Sequence, residues 1–398
     1  MKTILFIHHE SGIGGAPISM INIIENLDKT KFKTKVILLK NSIITRILED
    51  KNIDYDVVDC WFYRRFYKYF THIIPSYIKW YQPLTFLKCT LSWILSRYYF
   101  ANRILEKYDC DIIHLNSSVL TDWLAPSKQR AKVIIHIREP FATGYLGIRS
   151  HLFRRQMKKY ASRILGISND NCKRINILSN SVMVYNFVND EYFSNIPADS
   201  NSKVVIYVGG QAKIKGFKTV VKALDYLDSG ISVLFVGSYN DFSCYAGIKG
   251  FIKRTVDPKY KLLLKMRSSK NSIEIGIKTD IYELIKDSLI LISPFSKEHF
   301  SRPIIEAFAA SRAAIGSNVE GMDEIIDDQI NGLITEKNSE KKLANAINYL
   351  CSNPNVAIQM GINGYKKAMK YYTSENVKKI ESVYFEILKE NKIVRKNI

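Results

Sequence analysis

Apolar positions along the chain fall into short continuous runs, separated by longer stretches in which apolar residues recur every three or four positions. The first run, residues 3–8, is followed by a glycine-rich break ending in Gly14-Gly15, and then by Ile18, Ile21, Ile23, Ile24 and Leu27 at near-helical spacing. A second run lies at 35–39, and others at 111–115, 132–137, 162–167 and 182–185. Runs of this length bounded by turn residues read as buried strands, and the spaced apolar residues between them as helix faces. Alternation of the two predicts a parallel sheet covered by helices.

A polar stretch around 195–202, with Pro197, interrupts the pattern before it resumes. The second series predicts strand 204–208, helix 217–227, strands 232–236 and 273–275, helix 280–286, strand 289–293, helix 303–310 and strand 313–316. An amphipathic pattern over 374–389 closes the chain. The expected fold is α/β, with two Rossmann-like doubly wound domains facing a cleft. The first spans 1–196, the second 203–372, and a C-terminal helix in 373–398 packs back toward the first. A length of 398 residues suits two cores. Ligands of such sheets bind beyond the carboxyl ends of the strands, and a cleft between two domains is the expected site.

Composition narrows the class. With 46% hydrophobic and 24% charged residues the chain reads as soluble and globular. The N-terminus lacks the sections of a signal peptide, and no apolar stretch approaches 18 residues, so a cytoplasmic location is expected. Six cysteines without a Cys-x-x-Cys pair suggest core fillers; neither a disulfide framework nor a zinc site is expected.

The formal net charge of +20 predicts attraction to anions. It is concentrated: residues 61–108 hold 16 aromatics and eight Lys or Arg against one acid, Glu106, and a second basic run covers 149–163. Cations interleaved with Trp and Tyr suit an anionic membrane surface. They also suit core-packing helices with solvated basic faces. Single-stranded nucleic acid fits the same composition, but no nucleic-acid module is present and none is expected as a partner.

The densest chemistry lies in residues 293–311. Pro303 fits a first helical turn. Phe300 and Ser301 before it then present backbone N–H groups at the positive end of a helix, a seat for a phosphate or sugar oxygen. Glu298 falls in the preceding loop and Glu306 one turn inside the helix, where carboxylates could accept hydrogen bonds from hydroxyl-rich ligands. Spacing alone leaves open that both are ordinary surface acids.

The Glu298-to-Glu306 spacing resembles the E-x7-E pattern of family 4 retaining glycosyltransferases. The likeness extends to Gly14-Gly15, to Tyr207-Val-Gly209-Gly210, Lys215-Gly216, and the stretch from Asn318 through Gly321 and Glu324 to Asn331-Gly332. It implies a GT-B fold and transfer of a sugar from a nucleoside diphosphate sugar to a glycan or lipid-linked acceptor, without metal or other cofactor. Polysaccharide or glycoconjugate synthesis is the implied setting. By the same resemblance Glu306 holds the ribose, Glu298 the donor sugar and Lys215 the diphosphate, with Gly14 and Gly15 approaching the phosphates and Gly209 among the substrate-binding residues. The family's sugar-contacting histidine corresponds to His136 or, counting from the strand, to Arg138. Three positions depart from the family pattern. Gly210 replaces an arginine, leaving Lys213, Lys215 or Arg302 to carry its charge; Ser301 replaces a glycine; and Ser311-Arg312-Ala313 replaces a glycine-proline stretch. A sugar-nucleotide epimerase or a phosphorylase of the same fold is the alternative.

Overall fold

The structure, a computed structural model, describes residues 1–9, 14–67, 83–139, 141, 148–176, 180–247, 250, 254–255 and 257–394. Residues 11–13 of the first glycine-rich break lie outside them, as do Pro140 and the aromatics Tyr69, Phe70, Tyr77, Trp80 and Tyr81 of the basic aromatic stretch. The chain divides into two compact units. One comprises Met1–Asn186 with Ser374–Ile398, the other Phe187–Thr373.

The first unit is built on a parallel sheet of seven strands. These are β1 (Lys2–His8), β2 (Phe32–Leu38), β3 (Tyr55–Val57), β4 (Ile112–Leu115), β5 (Lys132–Ile137), β6 (Arg163–Gly166) and β7 (Ser181–Met183), in the order β3-β2-β1-β4-β5-β6-β7. The second unit carries β8 (Val204–Val208), β9 (Ser232–Val236), β10 (Ser272–Gly276), β11 (Ile290–Ser293), β12 (Ala313–Ser317) and β13 (Gly332–Thr335), in the order β10-β9-β8-β11-β12-β13. All pairings are parallel. Both sheets are doubly wound, as the alternation predicts.

The strands that the pattern leaves out, β3 and β13, are both sheet edges. An edge strand is covered less completely, so β3 needs no apolar run and its residues are half-buried. The central strands β1, β4 and β5 are nearly continuous Ile, Leu, Val and Phe because both faces meet helices. In each sheet the order reverses at one place, between β1 and β4 and between β8 and β11. There the connections leave in opposite directions and open a crevice at the carboxyl ends of the strands.

The helix Asn376–Val394 belongs to the first unit. Val377, Ile380, Val383, Tyr384 and Ile387 form a buried stripe at helical spacing. Phe32 receives it edge-on against Tyr384, at 5.5 Å between ring centroids, and Glu381 accepts the backbone N–H of Asp28 at 2.7 Å.

The basic aromatic stretch divides between interior and surface. Phe62, Tyr63 and Tyr67 are buried, and Phe62 stacks on Phe100 at 4.0 Å. Trp61, Leu84, Phe86, Leu87, Leu91, Ile94, Leu95, Tyr98 and Tyr99 are exposed, most of them on the helix Pro83–Leu95 and the turn that follows it. Among the described residues, no helix is long and apolar enough to cross a membrane.

Candidate active site

In the second unit, the residues singled out by sequence gather at the β8/β11 crevice. After β8, Gly209 and Gly210 turn the chain; Gly210 has a positive φ of 54° and lies against the Ser238 backbone. The turn Lys213–Lys215 then ends at Gly216, with φ 82°. A Cβ there would sit 2.0 Å from the Pro294 carbonyl oxygen, so only glycine lets this turn press against the end of β11. The Ser296 N–H donates to the Ile214 carbonyl at 2.9 Å, tying the lysine turn to the loop that carries Glu298.

That loop is fastened on its other side too. The Ser317 hydroxyl donates to the Phe295 carbonyl, and the His299 N–H to the Glu320 carbonyl at 3.1 Å. The His299 ring stacks on Phe295, centroids 3.9 Å apart. Burial and, next, the nearby Lys215 charge push the His299 pKa down to about 3, so its ring is neutral at physiological pH. Ser301 is buried and its hydroxyl shares a hydrogen bond with that of Ser293 at 2.8 Å, and Phe300 is buried beside it.

The helix Arg302–Ala309 starts with Pro303 in its first turn. Glu306 projects from the same face as Arg302, and the two form an ion pair at 2.9 Å. Burial raises the Glu306 pKa while the Arg302 charge opposes it. Arg302, expected to share the diphosphate charge, thus stands against a carboxylate.

In the first unit, a second polar cluster occupies the carboxyl ends of β1, β4 and β5. Gly14 precedes the helix Gly15–Asn26 in extended conformation. The Asn116 amide N–H donates to the Ala16 carbonyl and to His8 Nδ1, both at 3.1 Å, so this side chain joins the first helical turn to the end of β1. Its oxygen accepts from Arg138 Nε at 2.6 Å, and Arg138 also donates to Asn186 Oδ1 at 2.8 Å. His136 and Arg138 meet, with Arg138 Nη2 3.3 Å from His136 Nδ1. Glu139 turns elsewhere, to the hydroxyls of Ser117 and Ser118. His8, His114 and His136 are buried, and desolvation first, then the Arg138 charge, holds all three below the ordinary imidazole range, His8 down to about 3.

Sequence reasoning missed His8, His114, Asn116, Asn186 and Tyr384 here; in the second unit, Ser293 and Phe295 lie inside the stretch it singled out but were given no role. A signal was present for some of them. The stretch Ile112-Ile-His114-Leu-Asn116 places two polar residues at alternate positions of a strand otherwise built for burial. Such groups need partners and mark a buried polar network. Among the described residues, no group of three His, Cys, Asp or Glu could hold a metal ion.

Residues 188–367 match the model of a family described as glycosyl transferases group 1. The second unit is thus similar to this family, and the fold of the chain is of the GT-B type. The chain is 23% identical over 303 residues to an uncharacterized glycosyltransferase, MJ1178, of Methanocaldococcus jannaschii, covering 75% of this chain and 81% of that one. It is 29% identical over 103 residues to the N,N'-diacetylbacillosaminyl-diphospho-undecaprenol alpha-1,3-N-acetylgalactosaminyltransferase of Campylobacter jejuni, over 26% and 27% of the two chains. Among solved structures it is similar to HepE of Anabaena in complex with UDP and glucose, with a TM-score of 0.75 at 15% identity, covering 97% of this chain and all of that one. The family match falls within the unit that holds Lys215, Glu298 and Glu306.

Proposed function

We propose that this chain is a glycosyltransferase that moves a sugar from a nucleoside diphosphate sugar to a glycan or lipid-linked acceptor with retention at the anomeric carbon, as family 4 enzymes do. The observation that carries the reading is the tie between the Lys213–Lys215 turn and the Glu298 loop, made by Gly216 against Pro294 and by Ser296 to Ile214. It ties two lysines to the loop that carries Glu298, an arrangement that suits a diphosphate carrying a ribose and a sugar. Glu306 holds the ribose hydroxyls and Glu298 those of the donor sugar. Lys215, with Lys213, stabilises the charge that grows on the leaving diphosphate, without a metal ion. In the first unit, His136 rather than Arg138 takes the sugar-facing role, because Arg138 spends its guanidinium on Asn116, Asn186 and His136 itself.

The acceptor oxygen attacks the anomeric carbon on the face from which the diphosphate leaves. The bond from that carbon to the phosphate oxygen breaks, and the departing oxygen takes the acceptor proton. The complex of HepE with UDP and glucose supports the donor class, and the name of the Campylobacter relative supports a lipid diphosphate acceptor. Glu298→Gln should lower turnover at least a hundredfold while UDP still binds. Full activity in that variant would sink the assignment, and an inverted product anomer would sink retention.

The exposed apolar side chains of the helix Pro83–Leu95, with Trp61, Tyr98 and Tyr99 and the exposed cations Arg64 and Arg65, support attachment to an anionic membrane surface. Rings and aliphatic chains enter the headgroup boundary while cations meet lipid phosphates. Flotation with phosphatidylglycerol vesicles at moderate salt checks it. Binding should fall several-fold when Phe86, Leu87 and Leu91 are changed to Ser, and absence of binding by the unaltered protein would refute it.

A further inference from the structure

A line of four buried side chains crosses the first unit. The Tyr384 hydroxyl lies 2.7 Å from His114 Nδ1, and His114 Nε2 lies 3.3 Å from His136 Nδ1, which also faces Arg138 Nη2 at 3.3 Å. Chemistry fixes the direction of each link. A guanidinium has only donors, so His136 Nδ1 presents its lone pair to Arg138. His114 Nε2 faces the same nitrogen and must therefore carry a hydrogen. A neutral imidazole has one N–H, so His114 Nδ1 is an acceptor, and the Tyr384 hydroxyl is its donor. The remaining nitrogen of neutral His136, Nε2, then holds the hydrogen, and it has no hydrogen-bond partner among the described residues.

We propose that Tyr384, on the C-terminal helix, is a positioning residue that acts through His114 to hold His136 as a neutral Nε2–H donor aimed at substrate. That His136 faces substrate rests on the role proposed for it above; the tautomers do not. The His114 ring cannot easily escape the line, since it stacks on Phe6 with centroids 4.7 Å apart and meets Tyr384 edge-on. The line also explains why a phenol is buried in a helix stripe that otherwise needs only Val and Ile. A buried hydroxyl is costly unless paired, and His114 is its partner.

The charged and titratable groups around His136 are Arg138 beside it, His114 on β4, His8 through Asn116, Glu139 held by Ser117 and Ser118, and Tyr384 with Glu381 on the same helix. A hydrogen bond donated to a neutral base favours the neutral form. Loss of the Tyr384 hydroxyl therefore makes protonation of the His114–His136 pair easier.

The direct test is the side-chain 15N spectrum of the full-length protein at pH 7.5, with His136 assigned by its loss in His136→Asn. Neutral His136 with Nε2 protonated and neutral His114 with Nε2 protonated are expected. His136 found protonated at Nδ1, or as imidazolium, overturns the proposal whether or not the enzyme transfers sugar. Tyr384→Phe should lower kcat about tenfold with little change in the donor KM, and should move the acid limb of the kcat profile to higher pH. The same substitution in a His114→Gln background should add less than twofold. Equal losses in both backgrounds, or an unmoved acid limb in a folded Tyr384→Phe protein, would show that Tyr384 only packs.

Discussion

The guanidinium of Arg302 reaches forward one helical turn to pair with the Glu306 carboxylate at 2.9 Å, where both side chains are largely withdrawn from solvent, 12% and 16% exposed. A buried pair is worth little over an apolar substitute, yet breaking it on one side leaves an uncompensated charge. Arg302→Gln should therefore cost about 3 kcal/mol, and raise the Glu306 pKa further. Glu306→Gln should cost less, because the arginine keeps an acceptor. Chemical denaturation of the two variants checks the order, and UDP titration checks the ribose role: Glu306→Gln should weaken binding about tenfold, a loss of about 1.4 kcal/mol.

Gly216 links the lysine turn to the end of β11, and no other residue fits there. The strain of a positive φ for a non-glycine residue is on the order of 1–3 kcal/mol, and the Cβ would collide with backbone rather than with a movable side chain. Gly216→Ala should shift the Lys213–Lys215 turn, raise the donor KM at least tenfold and leave the far-ultraviolet circular dichroism unchanged. Steady-state kinetics with varied donor is the measurement. An unaltered KM would mean that the turn does not seat the diphosphate.

The sequence disclosed the doubly wound sheets because their central strands are buried on both faces, which forces runs such as Val133-Ile-Ile and Val204-Val-Ile to be continuous. It hid β3 and β13 because edge strands carry no such demand. In the second unit the candidate residues Lys215, Glu298 and Glu306 were visible because they lie on short consecutive segments. The cluster of His8, Asn116, Asn186 and Tyr384 was not, since its members come from a strand end, two connecting segments and a helix up to 376 positions apart and meet only once the sheet and the C-terminal helix are assembled. The Arg302–Glu306 pair stood at helical i,i+4 spacing in the sequence, but the expected start of the helix at Pro303, one residue late, concealed it.

His8, His114 and His136 have folded pKa values below the unfolded value near 6.5, so the unfolded chain binds more protons than the folded one just below that pH. Stability contributed by the neutral histidines is complete above about pH 6.5 and falls as pH drops through it. Each histidine adds a slope of up to about 1.4 kcal/mol per pH unit, and three together up to about 4. Thermal or urea unfolding followed at pH 7.5 and 5.5 should show a loss of several kcal/mol, and His114→Gln should reduce the slope. A flat profile across this interval would show that the cluster is already open to water.

Asp122 titrates with the opposite sign. It is fully buried in the first unit, where Oδ2 accepts from the Tyr67 hydroxyl at 2.7 Å and Oδ1 has no hydrogen-bond partner among the described residues. Burial pushes its pKa up to about 6, against the hydrogen bonds from Ser96 and Tyr67. Because the folded form now holds the proton more tightly than the unfolded one, stability falls as pH rises from about 4 to 6 and stays lower above. A rise of about two units corresponds to about 3 kcal/mol. Asn in its place keeps an oxygen for Tyr67 and adds N–H donors with no charge to bury. Asp122→Asn should therefore be more stable than the unaltered protein at pH 8, by on the order of 2 kcal/mol, with the difference vanishing near pH 4. Taking the difference between the two proteins at each pH cancels the histidine contribution, which they share. A variant less stable at pH 8 would mean that the carboxylate has a partner that Asn cannot satisfy.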